Sequence, residues 1–578
     1  MKCSQYWMGI LSIASSISPL GGAVAADTLF NDVTVFDGTG KQPFVADVLV
    51  KDGKIATIAK QIQATTDAEV IEAKNFTLMP GLIDVHTHWT ASRAEISTAM
   101  LTHGITTVTD YHSSPDSYAA KREWHKSLIS PHVLYAARIA PPGGHGADWA
   151  DEKMTRLVAS KEEAKAVLEY LDQYQPDFIK VFADGWRYGN PEENTDISLD
   201  AFEGIVEQAK IRHLPVVTHT VTVDGGIKAA KAGVTAIVHA MQDEKADARL
   251  VELMKQKAVY YAPTLAVYEP RPEKVKKLNP EKLAQTNERQ GFSKYNLGLL
   301  HDAGIKLGLG TDSGISKTPF GESSVRELEL LVDFGISPAE ALVAGTKGSA
   351  EIIGVDQVTG TIEVGKRADL LLIEGKPWKQ ISDIRNLKAV WVDGKPVVKD
   401  GALVGQQGPS VPPAIKIGAV IDDFEQGALT SLASVRKTNI DYGFPRSTIL
   451  MQPKLKSVTE SNHVLDVMVA LENKNAPYAQ LVFPLTPGGF VPVDASRYTG
   501  VSFSVNGNAR NYTVVLDSYN GKSKATLEAI SGWQTIVVPF SKFEGDWDKT
   551  SLTAVSIEVD GKAEEQYWIE LDNVKFTE

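Results

Sequence analysis

The 578-residue chain contains a single cysteine, Cys3. It lies in the opening stretch MKCSQYWMGILSIASSISPLGGAVAA, which reads as a removable leader. The mature chain would then carry no thiol. Disulfides and thiolate metal sites are excluded, and any transition-metal site must draw on histidine and carboxylate. Long apolar runs are also missing. Pro19 and the Gly21-Gly22 pair interrupt the leader short of the ~20 residues a membrane span needs, and no other segment approaches that length. Basic clusters are scarce as well. Against a net charge of −13, no run of Lys or Arg forms a cationic patch, which argues against nucleic acid as a partner.

The composition, 43% hydrophobic and 23% charged, is that of a soluble multidomain protein. Residues 1–26, with Lys2 near the start and the small-residue end Ala23-Val24-Ala25, read as a cleaved export signal, placing the protein in the periplasm or outside the cell. Short alternating strands with Asp-Gly and Gly-Thr-Gly turns fill 27–78, and the same texture returns at 354–404. These predict two halves of one discontinuous β-sandwich. Between them, over 79–353, apolar runs alternate with helical stretches such as KEEAKAVLEYLDQY. Eight such strands, from Leu78 to His88 through KLGLGTD, predict an α/β fold, a (β/α)8 TIM-like barrel; a doubly wound sheet would alternate in the same way. Residues 405–416, with GQQGPSVPPA, read as a linker, and 417–578 as a separate all-β sandwich or jelly roll.

The stretch GLIDVHTHW ends an apolar strand with His86 and His88, whose side chains share one face. Two imidazoles aimed at one point suit a metal, or they are strand-end histidines satisfied by carbonyls. His219 ends LPVVTHT, His239 ends AIVHA and Asp312 ends KLGLGTD, so every candidate falls at the C-terminal end of a predicted strand, where barrels build their sites. Lys180 is the odd member. In DFIKVFA the alternation puts Phe178, Lys180 and Phe182 on one buried face. Such an amine either pairs with a barrel aspartate or reacts with carbon dioxide to give a carbamate that bridges two cations.

The set His86-Thr87-His88, Lys180 in DFIKVFADG, His219, His239 and Asp312 in GTDSG resembles the metal-dependent amidohydrolase superfamily in its binuclear form. GITTV at Gly104, GGHG at Gly143 to Gly146 and the closing GTIEVGKRADLLL are similar to its imidazolonepropionase-like branch, which includes Xaa-Pro, Xaa-Arg and Xaa-Lys dipeptidases. The resemblance implies two divalent metal ions, zinc first among the candidates. His86, His88 and Asp312 would hold one, His219 and His239 the other, with carboxylated Lys180 and a hydroxide between them. It further implies hydrolysis of a C–N bond in a small amide, peptide-like or cyclic amide substrate, with Asp312 moving the proton and His145 binding the substrate carbonyl. Arg138, Arg187 and Tyr188 are candidate contacts for an acidic group on that substrate. Thr220, Val221 and Thr222 follow His219 where dipeptidase-like relatives commonly carry a tyrosine two residues on, which counts against dipeptides. A lactonase, a deaminase and a non-catalytic periplasmic binding protein are the competing readings; Lys180 counts against a deaminase.

The ends of the last domain, IDDFEQG at Ile421 and YWIELDNVKF at Tyr567, resemble the complex I intermediate-associated protein family and carbohydrate-binding jelly rolls. If the first and last strands meet, Asp423, Glu425 and Asp572 become a candidate calcium site, or simply exposed strand-end carboxylates. Trp533 and Trp547 are candidates for glycan stacking or for core, and the domain otherwise reads as a packing or homodimerisation appendage.

Overall fold

A computed structural model describes residues 27–149, 154–185, 194–315, 318–456, 462–508, 510–528, 530–562 and 565–578. One glycine separates its first two domains. Strand Phe76–Pro80 and strand Leu82–Asp84 are joined by Gly81, where a Cβ would lie 2.0 Å from Thr106 Oγ1. Only glycine lets the backbone pass Thr106 as it leaves one sheet for the next. The first sheet therefore keeps the chain through Pro80, two residues past the expected boundary.

That first sheet has nine strands drawn from both ends of the expected discontinuous domain. Phe76–Pro80 runs parallel to Thr28–Val35 and antiparallel to Leu370–Glu374. Its strands form one continuous ladder, and Phe30 of Thr28–Val35 meets Trp391 of Leu387–Val392 edge to face at 4.9 Å in its core, so strands that are not ladder neighbours face one another across it.

The second sheet is parallel throughout and follows chain order: Leu82–Asp84, Ile105–Asp110, His132–Ala140, Phe178–Phe182, Val216–His219, Ala236–Val238 and Tyr260–Ala262, with Thr155–Leu157 added beside His132–Ala140. Strictly sequential order leaves no switch point, which excludes a doubly wound sheet. The strands curl into a half-barrel. KLGLGTD, expected as the eighth strand, forms no ladder; single bridges join Leu307 to Tyr261 and Ser313 to Thr87, and Leu309 O accepts from Val85 N at 2.9 Å. Its glycines explain the irregularity, since a Cβ at Gly308 would lie 2.3 Å from Ile352. Helices between the strands are capped as their sequences suggest. Ser160, Ser198 and Thr222 accept from the backbone N–H groups of Glu163, Ala201 and Gly225 at the starts of Lys161–Leu171, Leu199–Ile211 and Val223–Ala232.

The linker is tied down, with the Gln407 side chain bonding both the N–H and the carbonyl of Ile129. Beyond it, antiparallel sheets of six and five strands enclose a core that includes Leu465, Phe503, Leu516 and Ile557. The first strand, Val420–Asp422, does pair with the last, Gln566–Thr577. Among the described residues, no helix is long and apolar enough to cross a membrane.

Candidate metal centre

At the C-terminal ends of the parallel strands, His86, His88, Lys180, His219, His239 and Asp312 all line one cavity of about 620 Å³. Asp312 Oδ1 lies 2.7 Å from His88 Nε2 and 3.1 Å from His86 Nε2. Lys180 Nζ is 3.4 Å from His86 Nδ1, and the His239 ring sits 4.6 Å from that of His86 and 4.5 Å from that of His219. His86, His239 and Asp312 offer three ligand atoms within 4.8 Å of one another. His239 (φ 83°) and Asp312 (φ 60°) occupy the left-handed backbone region, strain of ~1–3 kcal/mol each that clusters at functional sites.

Burial shifts several of these groups. Burial, helped by Lys180, pushes His86 down to about 3, and burial holds His219 and His239 well below the usual histidine value. Burial pushes Asp312 up, but hydrogen bonds from His86 and His88 outweigh it and keep the carboxylate ionised. Burial holds Lys180 well below the ordinary lysine range, against the pull of Asp312. Among the described residues no carboxylate lies within ion-pairing distance of it; its ammonium position faces the rings of Tyr111 at 4.8 Å and Phe182 at 5.7 Å.

A ring of supporting residues fixes these side chains. His239 Nδ1 meets Thr264 Oγ1 at 2.9 Å, Tyr111 stacks on His86 at 4.3 Å, and His88 Nδ1 lies 3.1 Å from His112 Nδ1. His112 is itself stacked on Trp89 at 3.6 Å. Sequence reasoning passed over His112, although it too lies just beyond a strand end, that of Ile105–Asp110, and the strand-end rule would have found it. Asp84 sits beneath, accepting from Thr311 and Ser324 at 2.7 Å each, and burial pushes its carboxyl up to about 7. The Thr220-Val221-Thr222 run wraps Asp184, whose Oδ2 accepts from Thr220 Oγ1 and, at 2.7 Å, from Val221 N.

His145 lines the same cavity, its ring 4.6 Å from that of His219. Arg138 does not. It is 1% exposed, its guanidinium 5.1 Å from the Trp149 ring that covers it, so it is no substrate contact. Arg187 and Tyr188 lie outside the described residues. A second His/Asp group, His132 with Asp369 and Asp393, stands at the start of its strand; Arg367 Nε, 2.6 Å from Asp369 Oδ2, already supplies the cation there.

Among the described residues, the expected calcium cluster does not come together. Asp572 Oδ2 accepts from Lys456 and Asn462, Glu425 from His463, and Asp423 from Ser431, and the three offer no common group of ligand atoms. The neighbouring Asp422 is buried and has a cation from within the chain, Arg436, whose guanidinium forks onto it at 2.5 and 2.8 Å. Trp547 packs on Phe540 at 5.1 Å as core, while Trp533 is exposed with Lys456 above its ring, so no paired sugar platform forms.

A model of the amidohydrolase family matches residues 77–397. The chain belongs to the amidohydrolase family. Membership makes it a hydrolase of carbon–nitrogen bonds, and its similarity to imidazolonepropionases supports the imidazolonepropionase-like branch. It is 26% identical to an imidazolonepropionase of Geobacillus sp. (strain WCH70) over 62% of this chain and 91% of that one. It is 31% identical to an ochratoxinase of Aspergillus niger over 38% of this chain and 45% of the relative. A crystal structure of a Xaa-Pro dipeptidase with bound methionine in the active site shares the fold, with TM-score 0.56 and 24% identity over 64% of this chain and 99% of that one. Residues 398–578 lie beyond the family match.

Proposed function

We propose that this amidohydrolase cleaves the C–N bond of a small acylated or peptide-like substrate at a binuclear metal centre. The reading rests on one observation above all: a buried lysine, held well below the ordinary lysine range by burial and with no carboxylate partner among the described residues, shares its cavity with the histidines and Asp312. Neutral imidazoles and an ionised carboxylate are the forms that bind metal, and a neutral amine is the form that adds carbon dioxide. His86, His88 and Asp312 would hold one ion and His219 and His239 the other, with carboxylated Lys180 between; zinc suits this nitrogen and oxygen donor set. Two such cations supply an acidified water and a polarised carbonyl.

The chain's own residues do the rest. Asp312, ionised and at the strand end, takes the proton of the attacking water and returns it to the leaving nitrogen. His145 faces the cavity from the GGHG loop and donates to the substrate carbonyl oxygen. Arg271, Lys274 and Arg289 also line the cavity with Tyr268, Glu269 and Leu278, a lining suited to a substrate with an apolar body and a carboxylate. The proposal of export rests on the leader at 1–26, which lies outside the described residues.

The test is elemental analysis of the purified protein beside Lys180→Ala, run together with a turnover panel of N-acyl amino acids, dipeptides, cyclic amides and lactones. We expect about two transition metals per chain, reduced in the variant, and turnover of amides bearing a carboxylate. One metal indifferent to Lys180 would refute the binuclear reading. Turnover confined to lactones would refute the amide assignment.

A further inference from the structure

The domain beyond the family match does not hang free of the catalytic face; it sits on it. Two loops at the ends of parallel strands carry hydrogen bonds to it, alongside the packing of Trp124 on Phe490. After Ile105–Asp110, Ser114 accepts from Lys437 Nζ at 3.0 Å and Asp116 accepts from Gly488 N at 2.9 Å. After His132–Ala140 comes the GGHG loop. There the carbonyl of Asp148 accepts from Gly443 N at 3.0 Å, and the carbonyl of Ala147 accepts from Arg446 Nη1 at 2.5 Å.

Both donors come from one short segment, DYGFPRS, and that segment is rigid for a visible reason. The Lys474 ammonium sits inside it, donating to Asp441 Oδ1 and to the carbonyls of Tyr442, Gly443 and Pro445 at 2.6–3.1 Å. Arg446 adds its own bonds to the carbonyls of Asp441 and Ile440. A guanidinium with its donors in a fixed fork, anchored on one side, is a strut rather than a tether.

The strut reaches the reaction site in two steps. Asp148 is 2% exposed; its Oδ1 accepts from Gly146 N at 3.0 Å and lies 3.5 Å from His145 Nδ1. His145 then presents its ring to the cavity, against His219 and Phe182. Gly146 has φ 87° and stands where a Cβ would be 2.5 Å from the Phe182 ring, so the loop has one tight conformation to be held in.

We infer that the C-terminal domain is a working part of the active site: Arg446, with Gly443, holds the GGHG loop so that Asp148 aims His145 at the substrate carbonyl. Arg446 is thus a positioning residue that acts through His145, and the inference rests on the hydrolytic role proposed above. The appendage serves the barrel's chemistry rather than a separate ligand.

The test compares Arg446→Ala, Arg446→Lys, His145→Ala and the Arg446→Ala/His145→Ala double variant in the full-length, metal-replete protein. Arg446→Ala should lower kcat by ~10–100-fold with metal content and melting temperature kept, as loss of a supporting partner does. Arg446→Lys should recover part of that loss. The double variant should be no worse than His145→Ala alone, because residues acting through one another are not additive. Trp533→Ala, exposed on the same domain, should change nothing. Hydrogen–deuterium exchange over 141–149 should quicken in Arg446→Ala while the rest of the half-barrel stays protected. That last readout needs no substrate, so if the turnover panel fails for the wild type, exchange alone still decides the brace. Unchanged exchange in the loop overturns the inference. So does an unchanged kcat, or a double variant in which the two losses simply multiply.

Discussion

His132 begins strand His132–Ala140 at the end of the half-barrel away from the candidate metal site, and its Nε2 lies 3.6 Å from Asp369 Oδ1 and 3.5 Å from Asp393 Oδ1 beside the nine-stranded sheet. Burial works against protonation, but the two carboxylates prevail and push the imidazole up to about 9. A raised value means that the folded protein holds the proton more tightly than the unfolded chain. The stabilisation is therefore complete below the ordinary histidine value of ~6.5 and is lost as pH climbs through about 9. At ~1.36 kcal/mol per pH unit the full shift corresponds to ~3 kcal/mol. The separations exceed those of good hydrogen bonds and the side chain is 28% exposed, so about half of that, ~1–2 kcal/mol, is the expected net effect. The experiment is guanidinium unfolding of wild type and His132→Gln, both with metal chelated, at about pH 6 and about pH 10. Subtracting the two proteins at each pH cancels every other titrating group. The stability gap should shrink by ~1–2 kcal/mol between the lower and the higher pH. A gap that stays constant, or widens with pH, refutes the assignment of the charged pair.

Three further outcomes are expected from contacts described above. Asp312→Asn should keep most of its metal while kcat falls by ~10²–10⁴-fold, the range for loss of a general base; undiminished turnover would remove Asp312 from the proton path. Thr264→Val takes away the hydrogen bond described at His239 Nδ1, and metal affinity in a chelator competition should drop by ~10–100-fold, whereas a change in melting temperature alone would give Thr264 a purely structural role. Arg436→Met leaves Asp422, 0% exposed, without its partner and should destabilise the C-terminal domain by ~3–5 kcal/mol in its unfolding transition; a cost below ~1 kcal/mol would mean that Asp422 simply takes up a proton.

The candidate histidines are legible in the sequence because one rule, side chains at C-terminal strand ends, picks them out without knowledge of tertiary structure, whereas Lys180 stands mid-strand and is picked out by its apolar neighbours. His112 obeys the same rule yet escapes notice, because its strand announces itself by the apolar run and the histidine lies two residues beyond the last strand position. Thr264 is beyond reach: its contact with His239 depends on how closely one strand end approaches the turn after the next. Arg138 shows the limit of alternation. Its register aims it at the interior correctly, but only the GGHG loop folding back puts Trp149 over it and closes it off from the cavity. The last domain misleads for a simpler reason. IDDFEQG suggests its second aspartate and its glutamate as cation ligands, whereas the first aspartate is the buried one and its cation comes from within the chain, as Arg436. The linker's dependence on Gln407, and with it the docking of the domain, has no signature in composition.

The nine-stranded sheet makes the order of synthesis matter. Thr77 Oγ1 donates to the carbonyl of Gly375, 298 positions later, and Phe76–Pro80 has its antiparallel neighbour only in Leu370–Glu374. At ~5–20 residues per second, roughly 15–60 s pass on the ribosome before that neighbour emerges. During that interval the leading strands expose an unpaired edge beside a nascent half-barrel. The sheet is thus the last part of the catalytic unit to be completed, acting as a clasp that fastens only once the whole parallel sheet has been translated. Truncation anywhere in that span leaves the clasp open, with a strand edge free to pair with another nascent copy.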